Sequence, residues 1–356
     1  MIFLKKIKVY CIVPGIADSS KHRGATYLEA IVNLVKLAEA YGYDGALIHY
    51  NHHVINPWLI TSVVAQHTER FIPLVALQPV SMPPYTAAKM IEGINRLYGR
   101  TVNINMITGA VRSELHQLGD TINHDERYER LSEYVDIVRL LLTSRGKEVS
   151  YKGKYYIIEN CLLTPGLRDD LPLPTFFVAG SSDAGIRAAI SCADVMVTHP
   201  LPINQFIRNT KEKVSARRID LGIRIGIIAR ESSREAWNTA REMFPPSRQG
   251  DIKMKLKKNS ESNWIRELAE LADTQEVIDE VFWMGAYRNG KSYCAYLIGN
   301  YDTVARYLSR YYEAGVTYLL LDGPYDHAEF EHIGRALAAA EEYHERKALS
   351  LQNGSH

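Results

Sequence analysis

Residues 27–48 read YLEAIVNLVKLAEAYGYDGALI, and this stretch decides the fold class. Leu28, Ile31, Val32, Val35 and Leu37 recur on neighbouring turns of a helix over Tyr27–Tyr41. Gly42 is the kind of residue that ends a helix. Gly45–Ile48 is a short apolar run of the kind buried in a parallel sheet. Working outward, Ile7–Val13 is a β-prone run ended by Pro14-Gly15. Downstream, Pro57–Gln66 reads as helix, Phe71–Leu77 as strand, Pro84–Leu97 as helix, Val102–Ile107 as strand and His124–Thr143 as a long helix. Strands that alternate with helices imply parallel neighbours, because a parallel pair needs a crossover connection. Lys147–Asn160, rich in Tyr, Ile and Val around Gly153, predicts a hairpin insertion near 147–160. The alternation resumes with strands at Thr175–Ala179, Asp194–Thr198 and Ile223–Ala229. Helices are expected at Ser182–Cys192, Ile203–Asp220 and Arg234–Met243. A polar, Lys-rich and irregular insertion is expected near 244–296, with helix around Trp264–Val281. Asn300–Ala314, Thr317–Leu321 and Ala328–Arg346 supply a helix, a strand and a closing helix. Eight strands favour a closed (β/α)8 TIM barrel with insertions: one domain over 1–349 and a frayed tail at 350–356. No GxGxxG follows the first strand, which argues against a dinucleotide-binding sheet.

Composition narrows the function classes. The 356-residue chain is 46% apolar, enough for a large core. No apolar run reaches the length of a membrane span, and Met1–Lys8 lacks the pattern of a secretory signal. With 42 basic and 41 acidic residues the net charge is +1, so no nucleic-acid face is expected. Cys11, Cys161, Cys192 and Cys294 form no CxxC pair and read as reduced cytoplasmic thiols. His49, His52 and His53 lack a carboxylate at ligand spacing, so no metal is expected.

If the barrel holds, chemistry belongs at the C-terminal ends of the strands. Asn105, within the fourth strand, either bonds a heterocycle edge or stabilises a loop. His124 and Tyr128 share one helical face near a helix start, where phosphate is favoured; taken alone, the pair reads first as an ordinary amphipathic helix start. Gly180-Ser181-Ser182 follows the fifth strand and opens a helix. That is a phosphate cradle in chemical terms, with Ser182 as a plain N-cap the alternative. Arg224 lies inside an apolar strand, so it must be paired or face the barrel mouth. Arg288 sits in a loop, either solvated or joining Arg224 against an anion. Tyr325 and His327 follow the last strand, in a Gly-Pro turn, and both can donate hydrogen bonds.

In their order, GYDGALI at 42–48, VALQP at 75–79, NMITG at 105–109, His124–Tyr128, Ala179–Asp183 and Tyr325-Asp326-His327 resemble the bacterial luciferase-like flavin monooxygenases, most closely the alkanesulfonate branch. The likeness spans about Lys8–Glu342. It implies FMN, used as FMNH2 from a separate flavin reductase, and O2 as co-substrates. It implies that His124, Tyr128, Ser181 and Ser182 hold the FMN phosphate and that Gln78 and Asn105 contact the flavin rings. Arg224, Arg288, Tyr325 and His327 then shape the catalytic site: the arginines neutralise an anion and help exclude water once the loop around Arg288 closes, and Tyr325 or His327 supplies a proton or orients the oxidant. The chain departs from the sulfonate branch at Val54, which stands for a Cys, at Gly226, which stands for a His, at His199, which stands for a Trp, and at Pro14-Gly15-Ile16-Ala17, which stands for a Thr-His-Gly segment. The substrate side has therefore changed more than the phosphate side. The expected activity is oxygen insertion into a small or carrier-tethered organic substrate, with the arginines leaving room for an anionic group, in a homodimer or homotetramer. A deazaflavin-dependent dehydrogenase and a non-catalytic flavin-binding paralogue are the alternatives.

Overall fold

The computed structural model describes residues 6–16, 25–214, 219–260 and 262–353. Thirteen strands are present among them: β1 Lys8–Ile12, β2 Gly45–Ile48, β3 Ile72–Leu77, β4 Asn103–Met106, β5 Val149–Lys152, β6 Ile157–Cys161, β7 Phe176–Ala179, β8 Val195–Thr198, β9 Asp220–Arg230, β10 Val277–Ile278, β11 Phe282–Trp283, β12 Tyr296–Asn300 and β13 Val316–Leu321. Hydrogen bonding orders them β10-β11-β12-β9-β13-β1-β2-β3-β4-β7-β8, and a further pairing of β8 with β9 closes a ring of eight. The eight are the strands expected from sequence. The fold is α/β, a closed TIM-like barrel with extra strands and helices.

Two compact units share the chain, one over 1–11 and 197–356, the other over 12–196. The central unit carries β2, β3, β4 and β7 in parallel register, with Leu47 opposite Leu74, Ala76 opposite Asn105 and Asn105 opposite Phe177. Its helices start on chemistry legible in the sequence. Thr26 and Glu29 form a capping box ahead of Tyr27–Ala40, and Asn123 and Glu126 form another ahead of His124–Leu142. The buried stripe of the first of these helices is Ala30, Ile31, Leu34, Val35 and Ala38, whereas Leu28 is exposed. Large side chains outweigh small ones in a periodicity reading, yet here the alanines pack inward. The hairpin β5–β6 is antiparallel, as expected, and a short helix over Arg112–Gln117 was not foreseen.

In the terminal unit, β9 serves two partners. Leu221–Ile225 pair with β13 and Gly226–Arg230 pair with β12, both parallel. Three corrections fall here. The helix expected to reach Asp220 is helical through Val214, with a π-turn at Ile207–Lys211, and Asp220 already belongs to β9. The 244–296 insertion is ordered into helices Arg248–Lys258, Asn263–Thr274 and Gly285–Arg288 plus the β10–β11 ribbon, so the helix near Trp264 stops at Thr274 instead of Val281. Tyr296–Asn300, which spans the expected end of that insertion and the expected first residue of the next helix, is strand. The last helix runs His327–Asn353, into the stretch read as a tail. Residues 1–5 of the N-terminal segment, Ala17 of the 14–17 segment, residues 215–218 and residues 354–356 of the tail lie outside the described residues.

Candidate active site

In the central unit, the predicted cofactor residues fall at strand ends and a helix start. Asn105 sits in β4, 6% exposed, and its Oδ1 has no hydrogen-bond partner among the described residues. A buried acceptor left open costs on the order of 1–3 kcal/mol, so this position is built to receive a donor. Gln78, after β3, is also buried and donates through Nε2 to the Thr108 carbonyl at 3.5 Å. Gly109 lies at φ +87°, and a Cβ there would stand 2.4 Å from Gln78 Nε2. Glycine is thus required both by its backbone and by its neighbour.

The residues expected on the phosphate side centre on Tyr128. Its phenol donates to the Ala179 carbonyl at 3.3 Å and exchanges hydrogen bonds with Thr108 and Ser182. Burial holds the phenol above its ordinary pKa, so it remains a neutral donor. A Cβ on Gly180 would stand 2.6 Å from the Tyr128 hydroxyl, and one on Gly185 would stand 3.1 Å from it. The two glycines therefore make the space this ring occupies. Ser182 caps helix Asp183–Cys192 through Gly185 N–H at 3.1 Å. This is the N-cap expected as the alternative reading of Ser182. His124 packs edge-on to Tyr128, centroids 5.2 Å apart, with Nδ1 2.8 Å from Asp125. Ser181 is half-buried beside them in sequence. Gln78, Asn105, Tyr128 and Ser182 thus share one unit with hydroxyls, a helix N-terminus and an open amide. That donor set fits a phosphorylated heterocycle.

In the terminal unit, Arg224 is paired, as a cation inside an apolar strand must be. Its guanidinium stands 3.5 Å from Asp322, just past β13. Burial works most strongly against its charge, but Asp322 together with Cys294, Tyr325 and Tyr293 outweighs it, and the pKa is raised. Asp322 Oδ2 accepts from Ser292 Oγ at 2.5 Å and from Tyr296 OH at 3.4 Å, and its carbonyl accepts from Tyr296 OH at 2.9 Å. Cys294 Sγ lies 3.7 Å from the same carboxylate, and burial pushes this thiol up to about 12, so it stays protonated. His199, after β8, stacks on Trp264 with centroids 3.7 Å apart and 9° between planes. Burial, then Arg224, holds its imidazole well below the ordinary value, and its buried Nε2 has no hydrogen-bond partner among the described residues. It is a neutral ring with an open nitrogen.

Gly226 has its explanation here. A Cβ at this position would stand 2.3 Å from the Tyr296 ring. The space that a side chain would take on β9 is filled by Tyr296 from β12, which also carries its hydroxyl to Asp322. Of the four residues expected to be catalytic, Arg224 is in this cluster. Tyr325 is half-buried and lies close enough to Arg224 and Tyr296 to influence their ionisation. Arg288 is exposed at the end of its short helix, and His327 is exposed in the first turn of the last helix. Asp322, Ser292, Cys294, Tyr296 and Lys257 escaped sequence reasoning. One signal was available, since a buried arginine demands a carboxylate and Asp322 ends the neighbouring strand. His52 meets Gln117 at 2.9 Å and His53 stands 4.0 Å from Glu114; no metal-binding group is found among the described residues.

The barrel thus carries a hydroxyl-lined helix start in one unit and a buried arginine–carboxylate cluster in the other. The family model for luciferase-like monooxygenases matches residues 9–318, and the chain belongs to that family; it is a monooxygenase. A relative from Niallia circulans, 4-(γ-L-glutamylamino)butanoyl-[BtrI acyl-carrier protein] monooxygenase BtrO, is 46% identical over 335 residues, 94% of this chain and 97% of that one. The EDTA monooxygenase of Chelativorans sp. BNC1 has a similar structure, with TM-score 0.70, 16% identity and 95% and 94% of the two chains covered. So does the oxygenating constituent of Pseudomonas putida 3,6-diketocamphane monooxygenase in complex with FMN, with TM-score 0.65, 16% identity and 92% and 96% covered.

Proposed function

We propose that this monooxygenase uses reduced FMN, delivered by a separate reductase, and O2 to oxidise an acyl group carried as a thioester on a carrier protein. The near full-length relative, whose substrate is tethered to an acyl-carrier protein, carries the substrate part of this reading. The open amide of Asn105 and the Gly180–Tyr128–Ser182 cradle support the cofactor part. The changed positions at Gly226, His199 and Val54 turn the reading away from the sulfonate branch.

Tyr128, Ser181, Ser182 and His124 would hold the phosphate, and Asn105 and Gln78 would bond the ring edge. Bound reduced FMN supplies the two electrons that activate O2. The remaining work belongs to the chain. Arg224, fixed by Asp322, would meet a carboxylate or thioester oxygen. A neutral His199 Nε2 would offer one hydrogen bond to the substrate, its direction set by the ring's tautomer. Its stack on Trp264 holds the ring in place. Tyr325 would orient the substrate from the loop after β13. The burial of Ser292, Cys294, Tyr296 and Asp322 around Arg224 would help keep water out, which would protect a labile oxidant. Arg288 and His327, both exposed, would act at the approach to the site.

The test measures reduced-FMN binding by fluorescence quenching, together with turnover of a carrier-bound acyl thioester. Tyr128→Phe and Ser182→Ala are expected to weaken reduced FMN by about tenfold each, the loss of one charge-assisted hydrogen bond. Arg224→Met should leave that affinity intact and lower turnover. Tight binding of a deazaflavin with none for reduced FMN would sink the reading.

A further inference from the structure

We infer that helix Arg248–Lys258 is the docking surface for the carrier protein, an acidic helical partner that brings its substrate on a phosphopantetheine arm. The inference rests on the proposed carrier-tethered substrate and adds to it the place where the carrier sits. The whole chain is almost charge-neutral, with 42 basic and 41 acidic residues. This helix, RQGDIKMKLKK, holds five basic residues against one acid. Its two faces are inverted relative to a core helix. Gly250 and Met254 are buried on the inner side, where Lys257 is half-buried. On the outer side Ile252 is 55% exposed and Leu256 68% exposed, one turn apart, flanked by exposed Arg248 and Lys255. Exposed apolar residues scattered singly need no account. Two on one face, framed by cations, are the pattern of a polar-rimmed apolar contact.

The helix is joined to the substrate cluster by short links. Lys257 Nζ donates to the Tyr287 carbonyl at 2.9 Å and to the Ser292 carbonyl at 3.3 Å, and Ser292 holds Asp322. Lys253 Nζ donates to the Gly290 carbonyl at 3.2 Å. Tyr293 lies between the two sites, with Lys257 5.9 Å and Arg224 5.6 Å from its ring centroid. A carrier seated on the outer face would stand beside the residues that meet its acyl group. Arg288 is exposed on the short helix that Lys257 grips, and it has no ion pair among the described residues. It is suited to the phosphate of the arm. Lys258 is already paired with Asp273, so Arg248, Lys255 and Arg288 are the cations available to an acidic partner.

The test uses two probes. One is phosphopantetheinylated BtrI, the relative's carrier protein, fluorescently labelled and followed by anisotropy. The other is a pantetheine thioester of the 4-(γ-L-glutamylamino)butanoyl group, which needs no docking. Arg248→Glu/Lys255→Glu and Leu256→Ser change solvent-exposed side chains only, and circular dichroism confirms their folding. The charge-reversed protein is expected to bind the carrier at least about tenfold more weakly, and the wild-type affinity should fall with salt. Leu256→Ser should weaken it at all salt concentrations, and turnover of the pantetheine thioester should be unchanged in both variants. Wild-type binding that neither variant weakens would place the dock elsewhere and leave the proposed function standing. Turnover of the free thioester with no carrier binding at any salt concentration would overturn the carrier reading itself. Binding to phosphatidylserine vesicles in place of the carrier would mark the helix as a membrane-surface element and overturn the inference.

Discussion

At the scale of single residues, Gly226 and Tyr296 act as one unit. Gly226→Ala would force a methyl group to within 2.3 Å of the Tyr296 ring, and overpacking of this kind costs about 1–3 kcal/mol. The double variant Gly226→Ala/Tyr296→Leu should cost less than the sum of the single changes, because the shortened side chain vacates the space. A double-mutant cycle in urea would show this as a coupling energy of roughly 0.5–3 kcal/mol; strict additivity would mean the two do not share that space. Lys257 is a second local device. Burial, then Lys253, lowers its ammonium from 10.5 to about 7. In the unfolded chain it keeps its ordinary value, so between about pH 7 and 10.5 the unfolded state binds more protons and stability rises with pH. The wild-type Tm should therefore climb from pH 7 toward pH 9 relative to that of Lys257→Met. Parallel curves for the two proteins would refute the shift. Arg224 was legible in the sequence because a charge inside an apolar strand is an anomaly. Tyr296 was not, because its role depends on a glycine from another strand, and no local pattern records that pairing.

At the scale of elements, the same division holds. The hairpin β5–β6 was readable because Tyr, Ile and Val cluster around a glycine. What fixes it to the unit was not. Glu133, on helix His124–Leu142, accepts the backbone N–H groups of Lys154, Tyr155 and Tyr156 at 2.8, 2.9 and 3.3 Å. Lys154 returns the contact to Glu126 and Glu129 at 3.2 and 3.0 Å. The exposed ion pairs contribute little, whereas the carboxylate organises the whole turn. Glu133→Ala should release the turn at a cost of about 1–2 kcal/mol. Hydrogen exchange should rise at 154–156 and stay unchanged in β3 and β4. The 244–296 insertion shows the opposite failure. Its polar, Lys-rich sequence reads as irregular, yet it folds into helices that bury Met254, Leu268, Ala269, Ala272, Ala286 and Tyr287. Composition located the insertion and hid its order, because a helix that exposes Ile252 and Leu256 has no ordinary amphipathic period.

At the scale of the molecule, the eight-strand ring could be read from the alternation alone, since each parallel pairing demands its crossover. The role of β9 could not. One strand of eleven residues carries β13 along its first half and β12 along its second, so the barrel wall and the added ribbon share a backbone. Arg230, the last residue of β9, is 6% exposed and donates to Glu329 in the last helix. That ion pair joins the far end of the shared strand to the C-terminal helix. Removing one partner of a buried pair leaves an uncompensated charge and costs about 3–5 kcal/mol. Glu329→Ala should therefore lower the urea midpoint substantially, and Glu329→Gln, which keeps an acceptor for Arg230, should lower it less. Because β9 is common to both pairings, the loss should appear in the main cooperative transition, followed together by far-ultraviolet circular dichroism and by tryptophan fluorescence from Trp283 beside β12. If fluorescence shifts while the helical signal keeps its wild-type midpoint, the ribbon unfolds by itself and the ion pair does not hold the shared strand.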